Sequence, residues 1–230
     1  MDETFALSPV ARMHSDFPTK FGIPRQSGLV DELRSTVVFE PVYRSPEAVR
    51  GLEDFSHIWL IWRFSAAERE TWSPTVRPPR LGGNIRIGVF ASRSPFRPNG
   101  LGLSCVRLER VELHPKLGPV LHVAGADLMD GTPIFDIKPY IPYADSHPEA
   151  SEGFTAAPRP LLAVEIPERW LALVPPERRD ALKGVLSNDP RPSYQQDGGR
   201  VYGLPFAGLD VRFTVADGVL TVREIVLLER

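Results

Sequence analysis

The sequence predicts a mainly β fold, a small barrel or sandwich followed by a smaller α+β unit. Three observations predict it. Short apolar runs, broken by proline and glycine, recur through the first 145 or so residues. Helix signals there are few. The clearest strand–turn–strand pattern lies near the C-terminus, just after a helix pattern.

Taken in order, Thr36-Val37-Val38-Phe39 is β-branched and aromatic and stops at Glu40-Pro41. Ser45-Pro46-Glu47 combines a hydroxyl N-cap, a proline at the first position and an acid in the first turn, and predicts a helix through Ala48 to about Gly51. Ile85–Phe90 is expected as a strand, bounded by Gly82-Gly83-Asn84 and Ser94-Pro95. Val106-Arg107-Leu108-Glu109 alternates, and Arg110-Val111-Glu112-Leu113 resumes on a shifted phase, which predicts a bulge. Leu121-His122-Val123 is a further short strand. Periodicity then lapses over residues 147–160, dividing the chain into expected domains 1–150 and 151–230. In the second, Pro175-Pro176-Glu177 starts a helix with Leu182, Val185 and Leu186 on one face, ended by Asn188-Asp189-Pro190. Val211, Phe213 and Val215 alternate, Asp217-Gly218 turns, and Leu220 and Val222 return.

Composition narrows the function classes. The 230 residues carry 27 Lys and Arg against 29 Asp and Glu, which excludes a globally basic nucleic-acid coat but not a local basic patch. The 24 prolines are about twice the usual share, so much backbone must run through shaped loops. One cysteine, Cys105, leaves no disulfide framework or multi-cysteine zinc site and suits a reducing cytosol. Apolar runs such as Ile58-Trp59-Leu60-Ile61-Trp62 fall far short of the ~20 residues of a membrane helix. Met1-Asp2-Glu3-Thr4 is acidic where a signal peptide is basic. A soluble cytoplasmic protein is expected.

Several chemistries fail their context. Gly100-Leu101-Gly102 has two glycines of a dinucleotide fingerprint, but Cys105 stands where the third belongs and a strand follows instead of a helix. There is no phosphate loop, no HExxH and no GxSxG elbow. No two of the five histidines are spaced i, i+4, so no metal site is expected. Cys105, in an apparent strand, is expected to pack.

What the chain has instead is arginine. Between residues 60 and 110 nine arginines (Arg63, Arg69, Arg77, Arg80, Arg86, Arg93, Arg97, Arg107, Arg110) face only Glu68, Glu70 and Glu109. Guanidinium groups bind phosphate bidentately and stack on bases. The prolines of Arg77-Pro78-Pro79-Arg80 and Arg93-Ser94-Pro95-Phe96-Arg97-Pro98-Asn99 stiffen the loops that carry them. The cluster as a whole points to an anionic polymer; any single arginine serves equally well in an ion pair. Asp127-Leu128-Met129-Asp130-Gly131-Thr132-Pro133 and Asp136-Ile137-Lys138-Pro139-Tyr140 form a second constellation. Asp136 and Lys138 flank Ile137 and so point to one side of an extended strand, close enough to pair. Asp189-Pro190-Arg191-Pro192-Ser193-Tyr194 is another stiff loop, offering an acid, a guanidinium and a ring. Gly51–Trp59 is compatible with plain core. The residues alone suggest an adenine- or nucleic-acid-handling site on proline-braced loops.

Together these stretches resemble the TrmO family of S-adenosylmethionine-dependent tRNA methyltransferases. The resemblance rests on residues 17–26, Val49-Arg50-Gly51-Leu52, Phe55–Trp59, Arg77–Asn84, Gly88–Ala91, Phe96–Asn99, Asp127-Leu128, Asp130–Pro133, Asp136–Tyr140 and Asp189–Pro192. It implies methylation of N6 of the threonylcarbamoylated adenosine beside the anticodon, a small non-Rossmann β-barrel with a C-terminal domain, and a homodimer. It places cofactor contacts at Pro24, Arg25, Gln26, Phe64, Ser65, Arg93, around Leu103 and at the backbone near Asp127. One departure is Gly100, where the family often has proline, which is expected to loosen that loop.

Such a transfer needs the nitrogen roughly 3–3.5 Å from the methyl carbon. N6 belongs to a urea-like group with a delocalised lone pair, so a base helps. Asp136 or Asp130 is the candidate, with Lys138 pairing that acid or holding the threonyl carboxylate and Tyr140 stacking on or bonding the base. Arg77, Arg80, Arg93, Arg97 and Arg191, with Tyr194, are expected to meet the anticodon loop. A non-catalytic module that binds S-adenosylmethionine or a nucleotide is the alternative; a metal-dependent hydrolase is disfavoured by the histidine spacing.

Overall fold

The computed structural model describes residues 4–67, 71–156, 160–192 and 197–228. Its elements run β1 (Ala11–His14), β2 (Arg34–Phe39), β3 (His57–Arg63), β4 (Thr75–Val76), β5 (Ile87–Gly88), β6 (Leu101–His114), β7 (Gly118–Ala124), β8 (Pro133–Pro139), α1 (Pro142–Asp145), β9 (Ala163–Glu165), α2 (Glu168–Leu171), α3 (Arg179–Ser187), β10 (Tyr202–Phe206), β11 (Leu209–Ala216) and β12 (Val219–Leu227). The mainly β expectation holds, and of barrel and sandwich it is the barrel that forms.

Six strands close in the order β1-β2-β7-β6-β3-β8, every neighbouring pair antiparallel. Closure comes from β1 meeting β8 through Ala11↔Ile134 and Arg12↔Pro133, so the barrel has no free edge. The two-residue period of a strand fills the inside. Val37, Ile58, Leu60, Trp62, Val106 and Leu121 point inward and are buried. The bulge foreseen in β6 is present, with register shifting between Leu108 and Arg110.

Two sequence expectations are corrected. The stretch from Ser45 to Gly51 forms a 3₁₀ turn over Pro46–Val49, because Ser45 makes no side-chain cap and Gly51 breaks the path at φ 82°. A second such turn follows at Leu52–Asp54. The strand expected over 85–90 shrinks to the two residues of β5, paired with β4, and Val89–Ala91 curl into a 3₁₀ turn that buries Val89.

Beyond the barrel lies a four-stranded sheet, β10-β11-β12-β9, with β9 parallel to β12. The β11–β12 hairpin follows its alternation and turns at Asp217-Gly218, both at positive φ as a tight hairpin turn requires. A 3₁₀ turn over Pro176–Arg178 leads into α3, which buries Ala181, Leu182, Val185 and Leu186. The core beneath them is not made by the C-terminal half alone. Phe17, Val30 and Leu33, from the segment joining β1 to β2, belong to it. Phe17 sets its ring edge-on to Phe206 at 5.4 Å, and the Ala207 N–H donates to the Asp16 carbonyl at 2.9 Å. Among the described residues no helix is long and apolar enough to cross a membrane.

Inside the barrel Trp62 lies flat against the backbone of Gly102, its cross-strand partner, where any Cβ collides with the indole. Gly102→Ala is therefore expected to destabilise the fold by ~1–3 kcal/mol, read as a lowered Tm in thermal unfolding.

Candidate functional site

Strand β3 is hydrogen-bonded to β6 on one side and β8 on the other, which arranges outward-facing side chains in rows. Leu103, Ile61 and Asp136 form one row. Cys105, Trp59 and Lys138 form the next. Arg107 and His57 begin a third, which Tyr140 completes by donating its N–H to the His57 carbonyl at 3.0 Å. Neighbours within a row sit ~5 Å apart. The surface so made carries the acid, the lysine and the tyrosine picked out in sequence.

Lys138 Nζ lies 2.9 Å from Asp136 Oδ2, and Asp136 Oδ1 accepts the Ile137 N–H at 2.9 Å, so the expected pair forms with both oxygens held. The Tyr140 ring sits 5.8 Å from Trp59 and 6.2 Å from His57, three half-buried rings side by side. Asp145 fixes this group. One of its oxygens accepts both the Trp59 Nε1–H at 3.0 Å and the Ile141 N–H at 2.8 Å, and these bonds hold its carboxyl below the usual range. Burial, aided by the Asp145 charge, raises the Cys105 thiol, consistent with a packing role. Asp130 stands elsewhere: it accepts the Ser15 N–H at 3.1 Å and lies 3.5 Å from His14, at the exit of β1.

A second group is built around Ser104, the inward neighbour of Leu103 on β6. Leu103 points outward and is 55% exposed, whereas Ser104 points inward and is 1% exposed. The Trp62 Nε1–H donates to Ser104 Oγ at 2.9 Å, and Ser104 donates to Asp127 Oδ1 at 2.6 Å. Burial raises the Asp127 carboxyl above its ordinary range, opposed by the Ser104 hydroxyl, the Arg93 charge and the Ser27 N–H. Arg93 in turn donates to the Gln26 side-chain carbonyl. Buried Pro24, exposed Arg25, Gln26, Arg93 and Asp127 are thus gathered around one loop. Phe64 packs on Trp62 at 4.3 Å and, with Trp72, Phe96 and Arg97, lines a cavity of about 250 Å³. Ser65 is exposed at its rim-side turn. Gly100 does not loosen the neighbouring loop. It closes it, at φ 57°, donating to the Arg97 carbonyl and accepting from the Phe64 N–H, a conformation closed to proline.

The arginines do not form one patch. Arg107 pairs with Glu109, and Arg110 with Glu112 and His122, on the β6–β7 face. Arg97 donates to the Ser92 and Ser94 carbonyls of its own loop, and Arg191 is held bidentately by Asp189. Arg77 and Arg80 have no partner among the described residues. They ride on the 64–100 excursion, which leaves and rejoins the barrel at the pair Arg63↔Leu101, two residues from the row holding Asp136. Arg69 and Tyr194 lie outside the described residues. Sequence reasoning missed Trp62, Ser104, Trp59 and Asp145. The alternation of β3 carried a signal for one of them, since an inward indole needs a partner for its N–H.

Two family descriptions match the chain: tRNA-methyltransferase O N-terminal domain over residues 12–146 and TrmO C-terminal domain over residues 162–228. The chain is 41% identical over 223 residues to the tRNA (adenine(37)-N6)-methyltransferase of Escherichia coli, covering 93% of this chain and 94% of that one. It is 43% identical over 218 residues to a putative S-adenosylmethionine-dependent methyltransferase, RcsF, of Pseudomonas aeruginosa, covering 91% and 92%. The crystal structure of TrmO from Pseudomonas aeruginosa superposes with a TM-score of 0.79 at 34% identity, over 97% of this chain and 99% of that one. With a closed barrel and no Rossmann sheet among the described residues, and relatives named as methyltransferases over nearly its whole length, the chain falls in a non-Rossmann methyltransferase class. The chain belongs to the TrmO family.

The raised Asp127 carboxyl has a sign that can be checked. Between the ordinary value of 3.8 and its raised value the folded protein holds a proton that the unfolded chain releases, so stability falls as pH rises through that window. Asp127→Asn removes this cost. Its Tm is expected to exceed that of the wild type at pH 7, with the gap closing below pH 4, in thermal unfolding across pH.

Proposed function

We propose that this protein transfers a methyl group from S-adenosylmethionine to N6 of the adenosine at position 37 of tRNA, and that the adenosine carries a threonylcarbamoyl group. The observation that carries the reading is the Asp136–Lys138 pair beside Tyr140 on the outer wall of a TrmO-family barrel. Relatives named for S-adenosylmethionine-dependent and tRNA (adenine(37)-N6) methylation match nearly the whole chain.

The residues present suit the cofactor. An amino-acid carboxylate and ammonium call for a cation, an anion and an amide, and Arg93, Asp127 and Gln26 converge on one loop. Phe64 and exposed Leu103 offer apolar surface, with Pro24, Arg25 and Ser65 alongside. When bound, S-adenosylmethionine supplies a methyl group on a sulfonium centre. Asp136 takes the N6 proton as the nitrogen lone pair forms the new N–C bond, and the electrons of the broken S–C bond return to sulfur. Lys138 holds Asp136 in place, or meets the threonyl carboxylate. Tyr140, backed by Trp59, stacks on the base. Arg77 and Arg80 meet backbone phosphates of the anticodon loop; Arg97 and Arg191, bound by their own loops, shape that surface. Residues 1–150 form the reacting domain and residues 151–230 the smaller one, working as a homodimer in the cytoplasm.

Incubation with labelled S-adenosylmethionine and tRNA purified with and without the threonylcarbamoyl group tests this directly: label is expected only on the modified tRNA, and equal labelling of both sinks the substrate assignment. Asp136→Asn should lower kcat ~10²–10⁴-fold while cofactor affinity stays within about two-fold. Arg77→Ala and Arg80→Ala should each reduce the slope of log K against log salt for tRNA binding by ~0.7.

A further inference from the structure

We infer that the C-terminal unit is a positioning part of the cofactor site, because α3 and β10 anchor the segment that carries Pro24, Arg25 and Gln26. This rests on the reading that those three residues bind S-adenosylmethionine.

The path from Ser15 to Leu33 contains no helix or strand. A connection of this length, left free, must be ordered each time ligand binds, at a cost in backbone entropy for every residue fixed. Here it is fastened before ligand arrives. On the C-terminal side Phe17 meets Phe206 at 5.4 Å, and the Ala207 N–H holds the Asp16 carbonyl. Arg178 Nε lies 3.0 Å from Asp16 Oδ2, an ion pair outside hydrogen-bond alignment. Val30 seats against α3 at Gly184, where an added Cβ would stand 2.6 Å from Val30 Cγ1. On the barrel side the Gly28 N–H donates to the Gly125 carbonyl at 2.9 Å and the Gly125 N–H to the Leu33 carbonyl at 2.9 Å. Between these fixings sit the three loop residues, with the Arg25 guanidinium 3.5 Å from the Arg191 carbonyl and Gln26 on Arg93. The loop is a bridge with one abutment in each half of the protein. Shifting the C-terminal abutment moves the cofactor contacts while leaving the Asp136–Lys138 wall where it is.

Gly184 isolates this effect. It lies inside α3, where alanine is the better helix former, so Gly184→Ala strengthens the helix itself and acts on the loop by pushing Val30. Calorimetric titration of S-adenosylmethionine into the full-length protein is the readout. Gly184→Ala should raise Kd at least ~5-fold, with kcat at saturating cofactor within about two-fold; adding Val30→Ala, which clears the clash, should bring Kd back to within about two-fold of wild type. An unchanged Kd in Gly184→Ala, or a raised Kd that Val30→Ala does not restore, overturns the inference and leaves the C-terminal unit as core alone. Gln26→Ala separates the underlying reading: if it leaves Kd unchanged, the loop does not bind the cofactor, whereas if it weakens binding and Gly184→Ala does not, only the anchoring fails. Should Gly184→Ala not fold, Phe17→Leu, which keeps an apolar side chain but gives up the ring contact with Phe206, carries the same expectation and the same refutation.

Discussion

The site depends on β3 being paired along both edges. A strand hydrogen-bonded to β6 and β8 cannot slip by one residue without turning Ile58, Leu60 and Trp62 out and His57, Trp59 and Ile61 in. That exchange would expose Trp62, the one tryptophan among the described residues of the barrel core, together with two fully buried aliphatic side chains. Burial of the inner face therefore fixes the register, and the register fixes which residues of β6 and β8 share the outer wall. Asp136, Lys138 and Tyr140 owe their common face to hydrophobic packing on the opposite side of the same strand.

The same wall separates two chemistries. Its outer side gathers three aromatic rings and an ion pair; its inner side runs a chain of hydrogen bonds from Trp62 through Ser104 to Asp127. Adjacent residues of β6 serve both, Leu103 outside and Ser104 inside. The arginines divide in a comparable way. Arg107 and Arg110 on β6 each pair with a carboxylate two positions on, Glu109 and Glu112, while Arg77 and Arg80 on the proline-rich excursion have no partner among the described residues. A linear count of positive charge cannot make that distinction, because it depends on which side chains a β-strand brings to one face.

Local signals proved legible where one element decides its own shape. The β11–β12 hairpin, the face of α3 and the bulge in β6 follow from alternation and spacing, and the Asp136–Lys138 pair follows from the two-residue period alone. The stretch from Ser45 misled because capping residues signal a helix only if the chain can continue it, and Gly51 turns it aside. The order of the barrel strands was not legible, since closure joins β1 to β8 across more than a hundred residues. Nor was the fate of Phe17, Val30 and Leu33. Their partners lie at the far end of the chain, and nothing in a short window marks an apolar residue as belonging to another core. Trp62 and Ser104 escaped notice for a like reason: each is ordinary in its own strand, and the hydrogen bond joins two strands.

That shared core has a consequence for synthesis. A ribosome releases the chain from its N-terminus, and the strands of the barrel, ending at β8, emerge well before β10 to β12. Phe17, Val30 and Leu33 come out before β2 to β8, yet the surfaces they bury against come out after them. Until α3 and β10 emerge, those apolar groups face water or a chaperone. The segment joining β1 to β2 gains its second support only once α3 and β10 have been made, after every strand of the barrel that flanks it.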